Sequence, residues 1–346
     1  MNARVIENET HKYLISKDHN YKFDKRSGFL ARWGASLQDD PNFGFPELAD
    51  IEISEICSGI RGKVCSFCYK SNVPSGQNMS LQIFEQVFDN LPRSVTQIAF
   101  GIGDIDGNPD LYPIMQHCRY NGVIPNITIN GDRMQPNDYR MLQKYCGAVA
   151  VSLYDKDICY DAVQRLGAGA QGLKQVNIHF MLSKERLPLV WELFDDMESD
   201  PRLQNLNAVV FLSLKRRGRG IGHQQISQTE FSEIVNYSQE HDLSIGFDSC
   251  SAFKFLTAVH SSPDYEKMKM LAEPCESTCF SLYINANGEF FPCSFLEGIG
   301  DWEKGIDCKK QLNFLEDVWQ NERVQNVREK IINARKRKRG CFFFEV

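Results

Sequence analysis

Six short apolar runs, each followed by a segment of helical spacing, fill residues 51–242 and constrain the fold more than any other feature. The runs lie at 51–56, 97–100, 124–129, 148–154, 175–182 and 207–214. Helical spacing marks 80–88, 111–121, 135–145, 157–168, 188–197 and 228–242, with Ser80 as an N-cap and Ser227 near the start of the last. A short strand at 244–248 closes the series. Alternation of this kind predicts an α/β fold with a parallel sheet of βα units. In parallel βα barrels the reactive face lies at the carboxyl ends of the strands.

The first strand runs into a loop that carries Cys57, Cys65 and Cys68. Short cysteine spacings read as metal sites. A structural zinc wants four protein ligands, whereas three thiolates suit a four-iron cluster with one iron open to another ligand. A zinc knuckle or three unrelated core cysteines is the plainer alternative. Gly59 and Gly62 lie in the gap of seven residues between Cys57 and Cys65 and let the backbone fold back. After the second strand comes Gly101-Ile102-Gly103-Asp104-Ile105-Asp106-Gly107-Asn108-Pro109-Asp110-Leu111.

Cys65-Ser66-Phe67-Cys68 resembles the end of the Cys-x3-Cys-x2-Cys loop of radical S-adenosylmethionine (SAM) enzymes, with Phe67 as the aromatic before the last cysteine. The first gap departs from that pattern, seven residues standing in place of three. The 101–111 segment is similar to the family's Gly-Gly-Gly-Glu-Pro turn, which binds the amino group of SAM. Asp104 takes the acid's place, and Gly103 keeps a glycine beside it. The resemblance implies an open (β/α)6 partial barrel. It also implies a [4Fe–4S] cluster on Cys57, Cys65 and Cys68, and SAM as cofactor. Asn130 and Ser152, at the ends of the third and fourth strands, match positions that contact SAM or substrate in the family. Ordinary turn chemistry explains Asn130-Gly131 equally well. His179 lies mid-strand and reads as structural. Lys215-Arg216-Arg217-Gly218-Arg219 follows the sixth strand and reads as either a solvated basic loop or, favoured by its position, a clamp for carboxylates or phosphates near the mouth.

The two ends of the chain follow other patterns. Residues 1–48 predict a hairpin through Asp24 to Gly28 that covers the barrel. The expected domains are 1–48, a barrel at 49–250, and a C-terminal module at 251–346. In that module two strands flank Ala286-Asn287-Gly288, a hairpin signal. Cys275-x12-Gly288-x4-Cys293 is similar to the auxiliary-cluster modules called SPASM and twitch, and Cys341 stands where those modules supply a further ligand. One auxiliary [4Fe–4S] cluster is implied, its fourth ligand left open among Cys250, Cys279 and Cys308. A structural zinc on the same thiols is the alternative. Cys118, Cys146 and Cys159 fall in or beside helices and read as core.

Net charge is −6, which shows no general nucleic-acid footprint. No apolar run is long enough for a membrane span. The first residues hold no signal-peptide core. With twelve cysteines, that points to a reducing cytoplasm and to metal over disulfides. The resemblance further implies that a 5′-deoxyadenosyl radical modifies a ribosomally made precursor peptide. An external electron donor and a small leader-binding partner are expected, since only about 48 residues precede the barrel. The short length and wide cysteine gap are similar to the splicease members, which excise part of a tyrosine residue. A small-molecule dehydrogenase of the twitch type and a non-catalytic iron–sulfur scaffold are the competing classes. No catalytic residue is assigned. The basic loop and the Arg335-Lys336-Arg337-Lys338-Arg339 run suggest an acidic peptide.

Overall fold

The computed structural model describes residues 4–36, 43–310 and 312–344. The N-terminal segment is a four-stranded antiparallel meander in place of the single expected hairpin. It comprises β1 (Arg4–Glu7), β2 (His11–Ile15), β3 (Asn20–Asp24) and β4 (Leu30–Trp33). The expected hairpin is β3–β4, where Asp24 accepts from the Arg26 amide at 2.8 Å. β1 is short and almost wholly exposed, so alternation there was weak, and no glycine marks the turns on either side of β2. Leu14, Tyr21 and Phe23 bury one face of the meander against Phe45.

The main sheet holds the six expected strands in sequence. They are β5 (Leu48–Glu52), β6 (Gln97–Gly101), β7 (Ile124–Ile129), β8 (Ala148–Ser152), β9 (Gln175–Leu182) and β10 (Ala208–Ser213). All pair in parallel with their neighbours, and β11 (Ile245–Phe247) extends the sheet beyond β10. Crossover helices α1 (Leu81–Asn90), α2 (Leu111–Tyr120), α3 (Pro136–Tyr145), α4 (Lys156–Gly167), α5 (Leu187–Ser199) and α6 (Gln228–Glu240) follow β5 to β10 in turn. Ser80 caps α1 by accepting from the Ile83 amide, and Ser227 and Glu230 form a reciprocal capping box on α6.

Strand alternation decides which residues reach the interior. In β9, Val176, Ile178, Phe180 and Leu182 are fully buried with the helices, while Gln175, Asn177, His179 and Met181 are half-buried on the other face. The interior face is polar, and it leads up to the loops at the carboxyl ends.

Two short helices, α7 (Ala252–Ala258) and α8 (Tyr265–Leu271), precede the last strands, β12 (Ser281–Ile284), β13 (Glu289–Phe291) and β14 (Ile306–Asp307). β12 pairs in parallel with β5, so the C-terminal hairpin continues the barrel sheet. The chain then runs through α9 (Glu322–Lys336) to Cys341. Among the described residues, no helix is long and apolar enough to cross a membrane.

Candidate functional site

The gap between Cys57 and Cys65 folds as a spur. Ile60 and Lys63 exchange both backbone hydrogen bonds at 3.0 Å. Arg61 and Gly62 between them both have positive φ, 51° and 77°, the signature of a two-residue hairpin turn. Gly59 has φ 74°, and a Cβ there would sit 1.9 Å from the Lys63 carbonyl oxygen. The extra residues leave and return at nearly one point, so the wide spacing does not separate the thiols. Cys57 and Cys68 interact electrostatically, and Cys65 interacts with both. Burial pushes the Cys65 thiol up to about 11, with Cys57 and Cys68 adding to the shift. Among the described residues, no group of three or more His, Cys, Asp or Glu converges on a single-ion position. What the geometry supplies is three soft donors on one loop, each near another.

The turn after β6 packs directly on this loop. A Cβ on Gly103 would lie 2.3 Å from the Ile56 carbonyl oxygen and 2.5 Å from Cys57 Cβ. We therefore expect Gly103→Ala to displace the loop, costing about 1–3 kcal/mol and lowering iron uptake. Wild-type melting temperature and iron content in that variant would refute the packing argument.

Asp104 is 3% exposed. One carboxylate oxygen accepts from the Ser58 amide at 2.8 Å and pairs with Arg133 at 2.6 Å. The other oxygen is buried and has no partner. Asn130 accepts from the Asp132 amide through its side-chain oxygen at 2.9 Å, while its buried Nδ2 has no partner. One acceptor and one donor are thus left open at the ends of neighbouring strands. Ser152 is buried at the end of β8 and bonded to Tyr154. The Phe67 ring lies 5.3 Å from Tyr154 and 5.1 Å from the Arg186 guanidinium. A cavity of about 320 Å³ is bounded by Ile60, Arg61, Cys65, Phe67, Tyr154 and Arg186. Arg133 escaped the sequence reading; its neighbour Gly131 was the only local signal.

The basic loop after β10 does not form the expected clamp. Lys215 is 4% exposed and pairs with Asp248. Arg217 donates to the Ser294 carbonyl at 3.0 Å and to that of Glu297. Arg219 donates to the Cys65 carbonyl at 2.7 Å and the Asn72 carbonyl at 2.9 Å, and its amide donates to the Cys68 carbonyl at 3.0 Å. Arg216 reaches the Ile221 carbonyl at 3.4 Å. These cations are committed to backbone carbonyls and one partly buried carboxylate, and Arg219 staples the cysteine loop. His179 sits 3.4 Å from the Thr128 hydroxyl, and burial lowers it to about 4, so it is neutral at pH 7.

A second group of thiols lies beside Lys215. Cys250 lies close enough to Cys275 and Cys341 to interact with both. Cys293 interacts electrostatically with Cys341 and Lys215. A Cβ on Gly340 would fall 1.7 Å from the Cys250 carbonyl oxygen, so the chain end returns tightly against Cys250. Cys279 is fully buried near Arg335 and Arg328. Cys308 is fully buried 3.4 Å from the Ile306 carbonyl. Of the three residues left open in the sequence, Cys250 is the one that interacts with thiols of the set. Cys118, Cys146 and Cys159 are core.

No family model and no curated protein matches the chain. Solved structures do. SuiB of Streptococcus suis bound to precursor peptide SuiA superposes with TM-score 0.68 at 14% identity, covering 93% of this chain and 90% of that one. SuiB bound to S-adenosylmethionine gives 0.68 at 13% identity over 93% and 89%. Native anSMEcpe with bound AdoMet and Cp18Cys peptide gives 0.56 at 12% identity over 81% and 82%. At such identities the likeness is one of fold: the chain has a partial TIM-like barrel similar to the one in these structures.

Proposed function

We propose that this chain is a radical SAM enzyme that modifies a ribosomally made precursor peptide. The observation that carries the reading is the meeting of Cys57, Cys65 and Cys68 beside an Asp104 oxygen that is buried and unpartnered. The donor set fits a four-iron cluster held by three thiolates, with its last iron free for the amino and carboxylate groups of SAM. When bound and reduced, that cluster supplies the electron that splits SAM into methionine and a hydrogen-abstracting 5′-deoxyadenosyl radical.

The chain's own residues do the positioning. Ser58 and Arg133 fix one oxygen of Asp104 and leave the other to accept from the amino group of SAM. The Asn130 amide, free at Nδ2, donates to an acceptor on SAM or substrate. Ser152 stands at the next strand end with the same choice of partners. Phe67, Tyr154 and Arg186 wall the adjacent cavity. Cys250, Cys275, Cys293 and Cys341 are the set we assign to an auxiliary [4Fe–4S] cluster, with Cys250 as the fourth ligand. Lys215, near Cys250 and Cys293, offsets the negative charge of their thiolates.

A peptide substrate is favoured over a small metabolite by a cleft of about 1050 Å³ along β11 at the side of the barrel. A small-molecule enzyme would call for a closed pocket. The bound peptides in the SuiB and anSMEcpe structures lend support by analogy of fold. We place an external electron donor and a small leader-binding protein among the partners. Excision of part of a tyrosine is the finer reading, supported by the wide cysteine gap and tested by a mass loss localised to one tyrosine of the peptide.

The direct test is Asp104→Ala. A charge-assisted hydrogen bond of this kind is worth about 1.5–3 kcal/mol, so SAM affinity should fall roughly 10- to 150-fold with iron content unchanged. Unaltered SAM affinity would remove Asp104 from the site. Alongside it, reduced wild-type protein should convert SAM to 5′-deoxyadenosine, which a mere iron–sulfur scaffold does not do.

A further inference from the structure

A cleft of about 1050 Å³ runs beside β11, the strand that ends the main sheet. The Ser244 carbonyl and the Asp248 amide bond to β10, each at 3.0 Å. By strand alternation the amides and carbonyls of Ile245 and Phe247 point the other way, into the cleft. Its walls mix polar and apolar side chains, and the apolar ones are partly bare: Phe29 is 61% exposed, Met270 85% and Leu271 74%. Every ionisable side chain lining it is acidic, namely Asp242, Asp264, Glu273 and Glu276. Glu273 pairs with Arg32, whereas Asp242, Asp264 and Glu276 have no cation at ion-pair distance among the described residues.

We propose that this cleft seats an extended, basic and apolar stretch of the precursor peptide, which adds as a strand to the free edge of β11. The inference rests on the peptide-modifying function argued above and reverses the charge expected from sequence. Main-chain bonds to Ile245 and Phe247 would supply register, and alternate side chains would fall on Phe29 and Leu271 or face the carboxylates. Unpaired acids around an apolar floor select cations and repel an acidic peptide of equal hydrophobicity.

The test uses the full-length, cluster-loaded protein and two fluorescein-labelled peptides of about twelve residues, one alternating valine with lysine and one valine with glutamate. Anisotropy should show the lysine peptide binding at least about tenfold tighter, with affinity falling as salt rises. Asp242→Asn combined with Asp264→Asn should cost the lysine peptide about fivefold or more and flatten its salt dependence. Asparagine tolerates the positive φ of residue 242 (51°), so the fold is kept. Phe29→Ser should weaken both peptides. Equal or tighter binding of the glutamate peptide, or no response to the double variant, overturns the proposal. So does a concentration-dependent dimer that Phe29→Ser abolishes, since a second copy would then cover the cleft. Formation of 5′-deoxyadenosine is read separately: its absence defeats the enzymatic reading and leaves the anisotropy result to judge the cleft.

Discussion

Replacing Cys57, Cys65 and Cys68 together by alanine should abolish cleavage of SAM and leave about half of the iron. Reconstituted wild-type protein is expected to carry about eight irons in two [4Fe–4S] clusters, and the triple variant about four. The two groups of thiols lie on different segments, one on the loop after β5 and one joining residues 250–341. Loss of one set therefore leaves the donors of the other in place. The removed thiols are only partly buried, and the strands beneath them keep their core. Far-ultraviolet circular dichroism should accordingly match the wild type. A triple variant that still makes 5′-deoxyadenosine would sink the cluster assignment. One that loses all its iron would mean that both sets serve a single centre.

The second large effect concerns Cys250. Cys250→Ala should reduce iron from about eight to about four and stop peptide modification, while slow cleavage of SAM without peptide persists. Cys279→Ala and Cys308→Ala serve as controls: both thiols are fully buried, so their removal should lower stability by about 1 kcal/mol without loss of iron. Full iron in Cys250→Ala, together with half in either control, would transfer the ligand role to that control residue. The expected pattern follows from proximity: Cys250 interacts with Cys275 and Cys341, whereas Cys308 faces the Ile306 carbonyl.

Local pattern was enough for the barrel. Strands β5 to β10 and helices α1 to α6 were legible because each buries one face, and burial imposes a period of two or of 3.6 on the side chains. Ser80 was legible as a cap for a similar reason: its hydroxyl meets an amide three residues away. The cysteine loop and Gly103-Asp104 turn were legible as motifs, since neighbours in sequence form each half. β1 and β2 were not: β1 is short and exposed, and no glycine marks the turns on either side of β2. The clamp assigned to Lys215 through Arg219 failed because a sequence shows that a residue carries charge, not what already neutralises it.

The sequence by itself determined the order of βα units, the sheet's polar and apolar faces, and which loops carry thiols. Tertiary structure alone decided what those loops meet. It set β12 against β5, brought Cys341 to Cys250, stapled the cysteine loop with Arg219, and left the edge of β11 open among unpaired acids. Secondary structure answers to forces between near neighbours along the chain, which periodicity records. A contact between distant segments depends on how the whole sheet curves and closes, and no local window of residues carries that information.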